Sequence, residues 1–169
     1  ATLTANGGDT YKWLDPTSTD KSIKVTPNTT TIYTVVVTGA NGCSASDDVK
    51  VTVNALPIAD AGADKSICYG TSTSLNGSAS SGQSPYTFDW DNGLDAGPNP
   101  TTSKLSSNIQ YKLTVTDVNG CISTDVVNIF VNPLPIANAG NNVTICHGAS
   151  TLLQASGGVS YQWVGRSEE

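Results

Sequence analysis

Tyr111-Lys112-Leu113-Thr114-Val115-Thr116-Asp117-Val118-Asn119-Gly120-Cys121 decides the fold. The first six residues place apolar or aromatic side chains at every second position, the period of a half-buried strand. The Asn-Gly pair then supplies the positive φ of a tight hairpin turn, and a second strand is expected from Ile122. The same phrase stands 78 residues earlier as Tyr33-Thr34-Val35-Val36-Val37-Thr38-Gly39-Ala40-Asn41-Gly42-Cys43. A strand, a turn and a return strand are therefore written twice.

Working outward from the two copies, the match extends well past the hairpin. Placing Tyr33 to Leu75 over Tyr111 to Leu153 gives 22 identical pairs out of 43. At an offset of 150, Leu3, Gly7, Gly8, Tyr11 and Trp13 fall on Leu153, Gly157, Gly158, Tyr161 and Trp163. The chain is read as three modules: 1–54, lacking its first strand; 55–132, complete; and 133–169, the opening strands of a third. A period near 80 residues is too long for a solenoid repeat and suits an array of small independent domains. On this reading the chain is a piece of something longer, in keeping with the absence of methionine. Arg166-Ser167-Glu168-Glu169 holds the only Arg and both Glu, and reads as a tail.

Composition fixes the class. Thr, Val, Ser and Asn dominate, and these favour strands and turns over helix interiors. No window carries apolar residues at helical spacing, whereas Ile23-Lys24-Val25-Thr26 and Val49-Lys50-Val51-Thr52-Val53 alternate. The chain is therefore expected to be all-β. Its net charge of −6 and pI near 4.5 exclude a nucleic-acid partner, which requires a clustered basic face. No apolar run approaches the roughly 18 residues of a membrane helix, so no span is expected.

In the complete module the reading places strand A at Ile58–Ala61 and Ser66–Cys68, kinked at Gly62. Strand B runs to about Leu75, C covers Tyr86–Trp90, and a weak strand lies near Lys104–Leu105. F is Gln110–Thr116 and G is Ile122–Val131. About seven short strands with turns every 8–12 residues describe an immunoglobulin-like sandwich, and tandem sandwiches arranged end to end are expected. Trp90 stands where such domains bury a strand-C tryptophan, and Tyr111 where a tyrosine corner begins strand F. Their repeats Trp13, Trp163 and Tyr33 join them as expected core residues.

Ala59-Asp60-Ala61-Gly62-Ala63-Asp64, Gly70, Leu75-Asn76-Gly77-Ser78, Trp90 and Tyr111 through Asp117 together resemble a PKD (polycystic-kidney-disease-type) domain. The cysteines in Ile67-Cys68-Tyr69-Gly70 and Asn119-Gly120-Cys121 are similar to those of Ig-like/PKD-like repeats in large Bacteroidota surface proteins. Gliding-motility adhesins exported by type IX secretion are among these. The resemblance covers all three modules and implies an extracellular, cell-surface location. Asn138 and Asn142 replace Asp60 and Asp64 in the third module, so neither carboxylate is a repeated ligand.

Four cysteines in an exported protein suggest disulfides. The simplest bond is Cys68–Cys121, both in the complete module. A second reading sends Cys68 to the next module, because a disulfide needs Cα atoms within about 7 Å and the A–B and F–G turns lie at opposite ends of a sandwich. Zinc is excluded by the absence of CxxC spacing and the single His147.

Asp89, Asp91 and Asp95 stand at spacings that calcium loops use, and form a weak Ca²⁺ candidate set. The first module answers them with Lys12-Trp13-Leu14-Asp15. As a glycosidase pair, Asp89 and Asp91 fail, because neighbours on one strand face leave no cleft. Tyr69 is the one aromatic expected on an exposed turn. No catalytic residue and no cofactor are expected. The chain reads as a non-catalytic spacer or stalk of a large secreted bacterial surface protein or filament. Its expected partners are neighbouring modules, other surface proteins or polysaccharide. The alternative is a carbohydrate-binding accessory module of a larger extracellular hydrolase.

Overall fold

The computed structural model describes residues 1–165, and among them every regular element is a strand. The tail Arg166–Glu169 lies outside the described residues. At the start of the chain come β1 (Thr2–Thr4), β2 (Thr10–Leu14), β3 (Thr17–Ser18), β4 (Ser22–Lys24), β5 (Thr31–Thr38) and β6 (Ser44–Val51). β1 pairs with β4, and the other sheet has the order β3-β2-β5-β6. The β5–β6 hairpin closes Thr38 on Ser44 around Asn41-Gly42, where Gly42 has φ 80°.

The next six strands are β7 (Pro57–Asp60), β8 (Lys65–Cys68), β9 (Ser78–Ser81), β10 (Thr87–Trp90), β11 (Ile109–Thr116) and β12 (Ile122–Asn132). β7 pairs antiparallel with β9, and the facing sheet has the order β10-β11-β12-β8. β8 joins β12 in parallel, with Ile129 opposite Lys65 and Asn132 opposite Cys68. A first strand that pairs with the second, then crosses to the last strand of the opposite sheet, makes this an immunoglobulin-like sandwich. The crossing is made at Gly62. Its φ is 81°, and a Cβ there would lie 2.9 Å from the Asn76 carbonyl oxygen, so only glycine fits.

The hydrophobic pattern decides which faces meet. Tyr111, Leu113 and Val115 of β11 point inward with Val127 and Ile129 of β12, against Ala61, Leu75, Trp90 and Leu105. Leu75, Leu113, Val115, Val127 and Ile129 are fully buried. Each such side chain contributes roughly 1.5–3 kcal/mol of transfer free energy. A second, smaller core gathers Leu3, Ala5, Trp13, Ile23, Val25, Tyr33 and Val35.

Two strand positions differ from expectation. Strand B was expected to end near Leu75, but the ladder with β7 forms at Ser78–Ser81, and Ser74 makes only an isolated bridge to Thr101. Instead of a strand at Lys104–Leu105, Leu105 is tied by backbone bonds to Thr71 and Gly70. In residues 133–165 the described regular structure is one bridge, Asn138 with Ser156. Trp163, expected in a core, is 51% exposed, because those residues contain no counterpart of β11 and β12 to cover it.

Candidate functional site

The acidic set named from sequence lies along β10 and the turn after it. Asp89, Asp91 and Asp95 are all exposed. The Asp91 carboxylate is already engaged: it accepts the Lys112 backbone N–H at 2.9 Å and the Asn92 side-chain amide at 3.1 Å. Among the described residues no three His, Cys, Asp or Glu side chains converge as a metal site would need. The structure thus places Asp91 as a bracket between β10 and β11.

The indoles are held by one repeated device. Trp90 is buried and donates its Nε1–H to the Gly97 carbonyl at 2.9 Å. Trp13, equally buried, donates to the Asp20 carbonyl at 3.0 Å, again seven residues on. Tyr11 and Tyr161 likewise each give their hydroxyl to the glycine three residues before, Gly8 and Gly158. Tyr33 and Tyr111 are buried among core residues. Burial, followed by the Asp91 charge, raises the Tyr111 hydroxyl above its ordinary value. Among exposed aromatics Tyr69 is joined by Phe130, Tyr161 and Trp163.

Sequence reading missed the most organised polar group. Asp117 is a buried carboxylate at the end of β11. It accepts backbone N–H groups from Asn119 and Cys121 at 2.9 Å and from Gln83 at 3.1 Å. Burial alone would push its carboxyl up, but the bonds from Cys121, Gln83 and Asn119 outweigh that and hold it below the ordinary 3.8. A Cβ on Gly82 would lie 2.9 Å from the Pro57 nitrogen and 3.1 Å from this carboxylate. Asp117 therefore gathers the β11–β12 turn, the β9–β10 loop and the start of β7 at one pole. The Asp117-Val118-Asn119-Gly120 turn signals the two local bonds; the bond to Gln83 has no local signal.

A carboxyl held below its unfolded value stabilises the fold above that value, and the contribution is lost as pH falls toward the folded one. Stability is thus expected to drop as pH falls below about 3.8. Thermal melts of wild type and Asp117→Asn from pH 6 to 2 check this. The variant should be weaker at neutral pH and show a flatter acid limb. Parallel acid limbs would remove Asp117 from the account.

Three more side-chain bonds align the start of the module with β12. Ser123 Oγ accepts the Ala59 N–H at 3.3 Å, Asp125 accepts the Ala61 N–H at 2.8 Å, and Asp64 accepts the Asn128 N–H at 2.7 Å. Each pair is 64 residues apart, as are the β8–β12 partners, so residues 59–68 track 123–132 in constant register. Asp125 repeats as Asp47, the one signal by which sequence could have flagged it.

That register corrects the expected disulfide. No two of the four cysteines are bonded to each other. Cys68 lies beside Asn132 at one end of β12, and Cys121 precedes Ile122 at the other. Eleven strand residues at about 3.3 Å each separate the two by roughly 35 Å, far beyond the 7 Å that a bond allows. Cys68–Cys121 cannot form within one module.

No protein-family model matches the chain, and no curated protein matches it. Among solved structures, immunoglobulin domains 1–5 of Sidekick-1 match 67% of the chain at 14% identity and TM-score 0.40. Extracellular cadherin domains 1–4 of protocadherin gamma B7 match 85% at 13% identity and TM-score 0.35. The EC1–4 segment of PcdhgB3 matches 83% at 11% identity and TM-score 0.38. The chain spans 27%, 46% and 44% of those three chains respectively. No helix among the described residues is long and apolar enough to cross a membrane.

Proposed function

We propose that the chain is a non-catalytic structural and adhesive segment, a spacer or stalk of Ig-like/PKD-like modules in a large secreted bacterial cell-surface protein. The modules are 1–54, 55–132 and 133–169, set end to end. The cysteine-bearing motifs and their resemblance support the gliding-adhesin type of Bacteroidota surface protein, exported by type IX secretion. One observation carries the reading: the apolar frame recurs from module to module and the exposed acids of β10 do not. The tryptophan bracket, the core positions and the Asn-Gly turn recur, while the exposed acids Asp89 and Asp91 stand opposite Lys12 and Leu14. A group that performed chemistry or bound a ligand in every module would recur with the scaffold.

The linkers support stiffness. Asn54-Ala55-Leu56-Pro57 and Asn132-Pro133-Leu134-Pro135 are short, and proline fixes φ and extends the residue before it. Small-angle scattering is expected to show an extended particle rather than freely jointed beads. Calorimetric titration with Ca²⁺ and a panel of polysaccharides should show no saturable binding. Asp89→Ala with Asp91→Ala should leave the fold in place at a cost of about 1–2 kcal/mol, nearly all of it from the lost Asp91 bond to the Lys112 N–H. Saturable micromolar binding abolished by that double variant would overturn the spacer reading in favour of the carbohydrate-binding accessory module.

A further inference from the structure

We propose that the two cysteines of each module are the halves of covalent staples between consecutive modules, the Cys68 position of one bonding the Cys121 position of the next. The inference rests on the array proposed above. It follows from what each thiol stands beside. Cys68 is the ladder partner of Asn132, the last residue of β12, and the Tyr69 N–H bonds the Asn132 carbonyl at 2.8 Å. Cys68 thus marks the point where the chain leaves the module. The constant offset of 64 residues, continued two positions back from the Ala59–Ser123 bond, sets Pro57 alongside Cys121. The Asp117 carboxylate that holds the Cys121 N–H also lies against Gly82, which touches Pro57. Cys121 thus marks the point where the chain comes in.

Between those two points in successive modules lies only the linker. From Asn132 to Pro135, the counterpart of Pro57, there are three steps, at most about 10 Å. Each cysteine sits about one strand spacing to the side of a linker end, so the two lie within about 20 Å, and a bend at the linker closes them to the Cα separation of roughly 4.4–6.8 Å that a disulfide needs. Both residues have access: Cys68 is exposed and Cys121 is partly so. The same assignment explains why no two of the four cysteines are partners here. Cys43 and Cys121 occupy the incoming position, Cys68 and Cys146 the outgoing one, and no junction within this chain holds one of each. Formation is a thiol–disulfide exchange: each thiol gives up its proton, and two electrons reduce a disulfide-bearing oxidant to two thiols.

The test is the full chain lengthened by one period, residues 1–132 followed directly by 55–169, whose new junction reads Asn132-Ala55-Leu56-Pro57 like the native one after Asn54. It carries six cysteines, the native four with Cys68 and Cys121 duplicated. After equilibration with oxidised glutathione, thiol counting should fall from six to four. Peptide mass spectrometry should find one bond, between Cys68 of the first copy and Cys121 of the second. Cys68→Ser in the first copy alone should abolish it, and in the second copy alone should not. A bond within one copy, or six free thiols, overturns the proposal. Scattering on the same sample separates the two readings: an extended rod with six free thiols sinks the staple and leaves the array, whereas jointed beads with free thiols sink both.

Discussion

Trp90→Ala is expected to destabilise the fold of residues 55–132 by about 3–5 kcal/mol, the range for deleting a large buried aromatic. The indole is 3% exposed and sits opposite Leu113 across the β10–β11 ladder. It lies so close over Gly77 that a Cβ there would come within 2.9 Å of the ring. The backbone has been thinned to glycine to seat the ring, so truncation leaves a cavity that no neighbouring side chain fills. The Gly97 carbonyl also loses its donor. Native-state hydrogen exchange is the apt measurement, because it assigns the loss to a segment and does not require the chain to unfold in one step. Amides of β10, β11 and β12 should lose protection together, while those of β5 and β6 hold theirs. A loss below about 1 kcal/mol would show that the ring is not integral to the core.

Val127→Ala is expected to cost about 2–3 kcal/mol, and its repeat counterpart Val49→Ala less than about 1 kcal/mol. The side chains are identical and occupy the same position in β12 and β6. Val127 is 0% exposed and Val49 is 37% exposed. The difference lies in what covers them: β12 has β8 on its outer edge and β7 packed across it, whereas β6 is the last strand of its sheet. β7 and β8 together therefore convert a surface valine into a core one. Equal losses of exchange protection from the two substitutions would contradict this.

How much of this was legible follows from where each signal resides. The β5–β6 and β11–β12 hairpins were legible because alternation and the Asn-Gly turn are local. So were the tryptophans, since Trp13 and Trp90 stand 20 and 21 residues before Tyr33 and Tyr111. β9 was not legible. Ser78-Ala79-Ser80-Ser81 has no hydrophobic alternation, and it is a strand only because β7 lies beside it. The Asp117 bond to Gln83 and the Asp125 bond to Ala61 join residues 34 and 64 positions apart, which no window of sequence brings together. The cysteines were legible as a pair per period, with one reading setting them at opposite ends of a sandwich, and the length of β12 decides for that reading.

The parallel alignment of β8 with β12 carries a mechanical meaning. If tension is applied between Pro57 and Asn132, the strand at the incoming end and the strand at the outgoing end are drawn in opposite directions along their common axis. The rungs from Ile129–Lys65 to Asn132–Cys68 lie across that axis and bear the load side by side, so they must break together rather than open in sequence like a zip. The carboxylates of Asp125 and Asp64 add cross-ties along the same seam. Resistance to pulling is thereby concentrated in one short seam of the module, and the sandwich core behind it can be modest without the chain yielding to traction.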